Sequence, residues 1–224
     1  MSFISVFDVL GPNMIGPSSS HTAGAVRLGR VANKLLQSKP KDIRIELSGS
    51  FAKTYKGHGT DKALLAGILG YHSYSEEIRS IFSIADKQGI HYTYIPTDIP
   101  NSHPNTARIQ VTCEDGSQHT VQGASIGGGN IRVDYVDGMK VDFTGERNTI
   151  LVPHYDRPGV IAAVTNIMWQ KHKDINTGSF RLTRPVKGGI AMMTIEVDGM
   201  PPADVIDAIR SVQYVTNVIL IRAI

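Results

Sequence analysis

Thr149-Ile150-Leu151-Val152-Pro153-His154-Tyr155-Asp156-Arg157-Pro158-Gly159-Val160-Ile161 is the stretch that decides the architecture of the C-terminal part. Residues 149–154 read as a strand. Tyr155–Gly159 reads as a turn into a helix, with Asp156 as the cap and Pro158 in the first turn. Val160, Ile161, Val164, Ile167 and Met168 then recur at helical spacing on one face. Two strands follow, at about 174–184 and 190–197, joined by Val186-Lys187-Gly188-Gly189. Met200-Pro201-Pro202 opens a second helix carrying Val205, Ile206, Ile209 and Val212, and Val218–Ile221 is a closing apolar strand. The order βαββαβ in residues 149–224 is the split-βαβ, ferredoxin-like arrangement. That arrangement hosts many functions and proves none.

Upstream of this stretch the pattern changes. Thr144-Gly145-Glu146-Arg147-Asn148 reads as a linker and 136–143 as a short hairpin, so the domains are expected at 1–147 and 148–224. In the first, helices are predicted at about 21–37, 60–71 and 74–88, and strands at about 42–47, 90–95, 106–113, 117–124 and 131–136. Glu114-Asp115-Gly116 is a hairpin signal, and Gly127-Gly128-Gly129 a turn that fits no phosphate-binding pattern. Long helices mixed with hairpins point to an α+β class.

Two polar clusters carry the chemistry. Gly16-Pro17-Ser18-Ser19-Ser20-His21-Thr22 stands where a helix begins, followed by Ala23-Gly24-Ala25. A helix start leaves N–H groups unpaired and carries partial positive charge, so hydroxyls there can cap the helix or hold a carboxylate. Capping needs one side chain, and five polar residues stand in a row. The second cluster is Gly49-Ser50-Phe51-Ala52-Lys53-Thr54-Tyr55-Lys56-Gly57-His58-Gly59-Thr60-Asp61, expected as a loop feeding a helix capped by Thr60 or Asp61. Glycines beside His58 admit close approach, and an imidazole suits proton abstraction near neutrality. The competing reading is an ordinary surface-loop histidine.

Composition narrows the classes. The chain has 224 residues and a net charge of +3. Residues 1–147 hold 15 basic against 14 acidic side chains, and 148–224 hold 8 against 6, so neither part is a basic module for nucleic acid. The Met1–Phe7 start lacks a charged n-region, and no apolar run reaches the length of a membrane span, so a cytoplasmic protein is expected. A single cysteine, Cys113 in a strand-like run, excludes an internal disulfide and an all-cysteine metal site made by this chain alone.

The C-terminal part, through His154–Ile161, resembles an ACT domain, a ferredoxin-like module that often binds amino acids. The N-terminal part, through Gly16–Thr22, Gly49-Ser50-Phe51-Ala52 and Lys56–Asp61, resembles the β chain of iron–sulfur-dependent L-serine dehydratase, and the likeness spans nearly the whole chain. In that family this domain is related to the allosteric substrate-binding domain of some phosphoglycerate dehydrogenases. The resemblance implies conversion of L-serine to pyruvate and ammonia. It implies a 4Fe–4S cluster held by a partner α chain and no metal ligand here. By the same resemblance His58 is the base at the Cα–H. Ser18, Ser19, Ser20, His21 and Thr22 hold the carboxylate and ammonium, and Thr60 and Asp61 shape the substrate loop. Asp156 and Gly159 lie where an effector amino acid meets a helix, and ACT domains pair side by side, so a homo-oligomeric contact is implied. The alternatives are a non-catalytic amino-acid-sensing regulatory subunit and a structural adaptor.

Overall fold

A computed structural model describes residues 13–171 and 175–224; the expectations at Met1–Phe7 and at Asp174 lie outside them. The protein is mixed α+β with two sheets. It divides into two compact units, Met1–Asp137 and Gly138–Ile224.

The first unit starts with a π-helical turn, Ser20–Gly24, that runs into α1 (Ala25–Leu35). Next come β1 (Pro40–Leu47), α2 (Gly49–His58), α3 (Thr60–Ile68), a 3₁₀ turn (Glu76–Ser80) and α4 (Ile81–Lys87). β2 (His91–Pro96), β3 (Thr106–Cys113), β4 (Gln118–Gly127) and β5 (Asn130–Val136) complete it. The strands lie in the order β2-β1-β3-β4-β5. β1 and β2 are parallel, with Ile43 opposite Tyr92, and the other pairs are antiparallel. Strand β3 alternates buried Ala107, Ile109, Val111 and Cys113 with half-buried Arg108, Gln110 and Thr112. That period turns one face of the sheet to a core shared with Leu28, Val31, Leu64, Leu65 and Ile68 of the helices.

Helices α1 and α3 cross backbone to backbone. A Cβ at Gly29 would strike the Leu64 carbonyl oxygen, and one at Gly67 would strike the Val26 carbonyl oxygen. Only glycine permits this approach. It is what brings the two polar clusters at the starts of these helices together.

Three expectations are corrected. Residues 49–58 form helix α2, not a loop. Its two glycines and β-branched Thr54 are poor helix formers, but Phe51 is fully buried and anchors the turn. Residue 49 takes φ +59 against Pro104, and the Phe51 N–H donates to the Pro104 carbonyl at 3.3 Å. Neither Thr60 nor Asp61 caps α3. Gly59, at φ +71, ends α2 and starts α3 in one left-handed residue. The predicted helix 74–88 is broken at Ser80 into the 3₁₀ turn and α4, because Ser80 leaves helical dihedrals at φ −111, ψ 14.

The second unit begins with β6 (Met139–Phe143). β7 (Asn148–Tyr155), α5 (Val160–Lys171), β8 (Thr177–Thr183), β9 (Ile190–Val197), α6 (Ala203–Arg210) and β10 (Ile219–Ile221) follow. The last six elements run βαββαβ, and their sheet is ordered β10-β7-β9-β8, antiparallel throughout. Its core is Ile150, Val152, Val160, Val164, Met193, Ile195, Val205 and Ile209. No helix among the described residues is long and apolar enough to cross a membrane.

Candidate functional site

The first cluster starts its helix at Ser20, within one residue of the expected start, but as a π-helical turn. The Thr22 N–H donates to the Ser18 carbonyl at 2.8 Å, and the Gly24 N–H reaches one residue further back, to Ser19, at 3.0 Å. This wide turn presents His21 and Thr22 inward, and both are buried. The N-cap position, Ser19, makes no side-chain cap bond, and Ser18 Oγ accepts the His21 N–H at 3.4 Å instead. The Ser19 and Ser20 hydroxyls, half-buried, have no partner among the described residues.

His21 is the hub. Its Nδ1 lies 3.3 Å from Ser18 Oγ and its Nε2 3.4 Å from Ser50 Oγ in the first turn of α2. Its ring meets Phe51 edge-on at 5.2 Å between centroids and His58 edge-on at 4.7 Å. Burial, and then the neighbouring His58, hold the His21 imidazole below its usual pKa, so it is kept neutral. The predicted base and the predicted serine–histidine cluster are thus neighbours, although 37 residues separate them in the chain.

His58 ends α2 and is exposed, and the glycines on either side leave open space around it. It opens onto a cavity of about 390 Å³ lined also by Gly16, Pro17, Thr22, Lys56, Gly59, Lys62, Ile78 and Arg79. Three cationic side chains around one cleft favour an anionic ligand group. Thr22 lines the cleft, and its hydroxyl is buried without a partner; the Thr60 hydroxyl is buried and unpartnered as well. Such groups are uncommon in a folded chain and cost stability.

Asp61 stands beside this cleft without lining it. Its Oδ1 accepts the Lys62 N–H at 2.8 Å, and its carbonyl accepts the Tyr94 hydroxyl at 2.6 Å. Burial pushes its carboxyl pKa up, against the pull of the Lys62 N–H and of the Lys62 and Lys56 charges. Ser50, Lys56, Lys62 and Arg79 received no role from the sequence. Ser50 and Lys56 stood inside the quoted cluster, whereas Arg79 arrives from a different element and had no sequence signal.

A family model described as the serine dehydratase beta chain matches residues 5–93. The "Probable L-serine dehydratase, beta chain" of Bacillus subtilis (strain 168) is 41% identical over 218 residues, covering 97% of this chain and 98% of that protein. The chain belongs to the L-serine dehydratase β-chain family. The "L-serine dehydratase, beta chain" of Peptoniphilus asaccharolyticus is 36% identical over 221 residues, covering 97% of each chain. "L-serine dehydratase 2" of Escherichia coli (strain K12) is 32% identical over 152 residues, which cover 57% of this chain but only 33% of that protein. Both polar clusters of this β-chain family member fall inside the matched residues 5–93.

In the second unit, the Asp156–Gly159 turn lines a cavity of about 470 Å³ with Ile161, Leu182, Arg184 and Gly188. Asp156 does not cap α5. Its Oδ2 accepts the Gly188 N–H at 2.9 Å and Arg184 Nη1 at 3.1 Å. These hold its carboxyl below the usual value, the Gly188 hydrogen bond contributing most. The carboxylate is committed to the β8–β9 loop because that loop brings it both a backbone donor and a guanidinium. Gly159, at φ +90, has open space around it.

Proposed function

We propose that this chain is the β subunit of an L-serine dehydratase that converts L-serine to pyruvate and ammonia in an active site completed by an α chain. The observation that carries this reading is the cleft where exposed His58, backed by neutral His21, faces Thr22 and three cationic side chains.

Losing water from serine needs removal of a weakly acidic Cα proton and assistance to a poor leaving group. His58 takes the Cα proton on its free nitrogen. Lys56, Lys62 and Arg79 set the positive potential that draws in the serine carboxylate. Thr22 supplies the hydroxyl that pairs with the bound substrate. Ser19 and Ser20 offer further polar contacts for the carboxylate or ammonium, and Thr60 and Asp61, outside the lining, shape the loop that follows His58.

The residues present do not fit a 4Fe–4S cluster. Such a cluster needs several thiolates, and the one cysteine, Cys113, is buried in β3. The cluster is therefore assigned to the α chain, and no step of hydroxyl departure runs through this chain. That the Escherichia coli relative is about three times as long as the matched portion supports a missing partner. A soluble, cytoplasmic hetero-oligomer follows from the same reading.

We assign residues 148–224 to an ACT-like regulatory or pairing module and 1–147 to the serine-dehydratase β-chain domain. The βαββαβ order supports this, and side-by-side pairing would protect the free edges of β8 and β10. An effector amino acid would meet Gly159 and the α5 start. A purely sensory subunit has no comparable observation in its favour.

The test is anaerobic co-production with the cysteine-bearing α chain, followed by a serine deamination assay. The chain alone should be inactive and the pair active. Turnover by the purified single chain, or an inactive pair, would overturn the reading.

A further inference from the structure

His21 stands in the serine cluster, where a role as substrate ligand is the simplest expectation. Its surroundings argue otherwise. It is buried to 9% exposure, and both ring nitrogens already face hydroxyls of the protein, Ser18 at 3.3 Å and Ser50 at 3.4 Å. It is not among the residues that line the His58 cleft. A neutral imidazole needs one donor and one acceptor, and a serine hydroxyl serves as either, so the two serines satisfy the ring completely. Phe51 and His58 then meet it edge-on from α2, the helix that also carries Ser50. One helix therefore contributes the hydroxyl that fixes His21 and, two turns later, the imidazole that rests on it.

We propose that His21 is a positioning residue and not a substrate ligand: clamped between Ser18 and Ser50, its ring sets the orientation of the His58 imidazole. This rests on His58 being the base, as proposed above. The inference adds Ser50 to the working parts of the site, as the contact that ties the start of α2 to the imidazole lying under its end. It also assigns a direction to the proton. Among the described residues, His58 is the charge that acts on His21, and the buried ring resists taking a second proton beside it. A proton taken from substrate thus stays on the exposed His58 and leaves to solvent, and is not passed inward. The other charged groups of the site are Lys56 on α2, Asp61 and Lys62 on α3, and on the 3₁₀ turn Arg79 with Glu76, its ion-pair partner at 3.4 Å.

Two measurements test this. In the assembled enzyme, Ser50→Ala should lower kcat by about tenfold, and up to about 10²-fold, with KM for serine unchanged, since misplacing a reacting group costs rate and not binding. Ser50→Thr should restore most of the rate. In the full-length chain alone, histidine NMR titration should show His21 protonating below the ordinary imidazole value, with its midpoint rising in His58→Gln. If Ser50→Ala does not fold, Ser18→Ala reads the other nitrogen in the same way. A normal kcat in these variants, a raised KM at constant kcat, or a His21 midpoint indifferent to His58→Gln would overturn the inference. A pair without deaminase activity would instead overturn the functional reading, and the titration alone would then decide this one.

Discussion

The two helix starts singled out by the sequence are built to opposite ends. Before α5, Asp156 carries a charge that the protein itself consumes: Gly188 and Arg184 use its carboxylate to latch the β8–β9 loop. Before α1, polar groups are buried and left unmatched. Thr22 and its counterpart Thr60 at the start of α3 have hydroxyls with no partner among the described residues. A turn whose polar groups are satisfied internally is a structural device. A turn that pays desolvation for hydroxyls it does not use is a place for something else to bind. Side by side, the two turns show that a polar helix start says little until its partners are counted.

The comparison can be broken at the scaffold. Gly29→Ala or Gly67→Ala places a methyl where α1 and α3 touch through backbone. Overpacking of this kind costs about 1–3 kcal/mol. Thermal unfolding should show that loss, and His58 should lose its alignment with Thr22. An unchanged melting temperature would mean that the helix crossing does not hold the site together.

A smaller effect sharpens it. Thr22→Val keeps the shape and removes a buried hydroxyl with no partner. Stability should rise by up to ~1 kcal/mol, while KM for serine in the assembled enzyme rises as well. A loss of stability would show that the hydroxyl is satisfied within the protein, and the contrast with Asp156 would fall.

The smallest effects are in pH. For His21 the folded value is lowered, so the unfolded chain takes up its proton first. Its contribution to stability is lost as pH falls below 6.5 toward the lower folded value. For Asp156 the folded value is lowered too, but for an acid. Its contribution is present above 3.8 and is lost as pH falls through the still lower folded value. Amide exchange should therefore loosen around residues 18–24 at a higher pH than around Gly188. Simultaneous loosening, or the reverse order, would contradict the assignment of these two groups.

Much of the fold was legible in the chain. The strands around Ile109 and Met193 alternate or run apolar as their burial demands, and βαββαβ followed from punctuation by Gly188-Gly189 and Pro201-Pro202. Helix α2 was not legible, because what holds it is tertiary: Phe51 buried beneath it, and the Pro104 carbonyl, which arrives from more than fifty residues away. The same is true of the site. His58 and the serines could be marked from residue type, but not that His21 would stand against His58, nor that Lys62 and Arg79 would line one cleft. Residue chemistry is local, and the juxtaposition depends on the Gly29–Gly67 crossing, which no single window of sequence contains.

The most direct test of the account is the turnover of the assembled enzyme carrying His58→Ala, with assembly checked by size. Removing a general base typically costs about 10²–10⁴ in rate. With His58 as the base, kcat should fall by that factor with the α–β assembly intact, and a near-normal kcat would contradict that role.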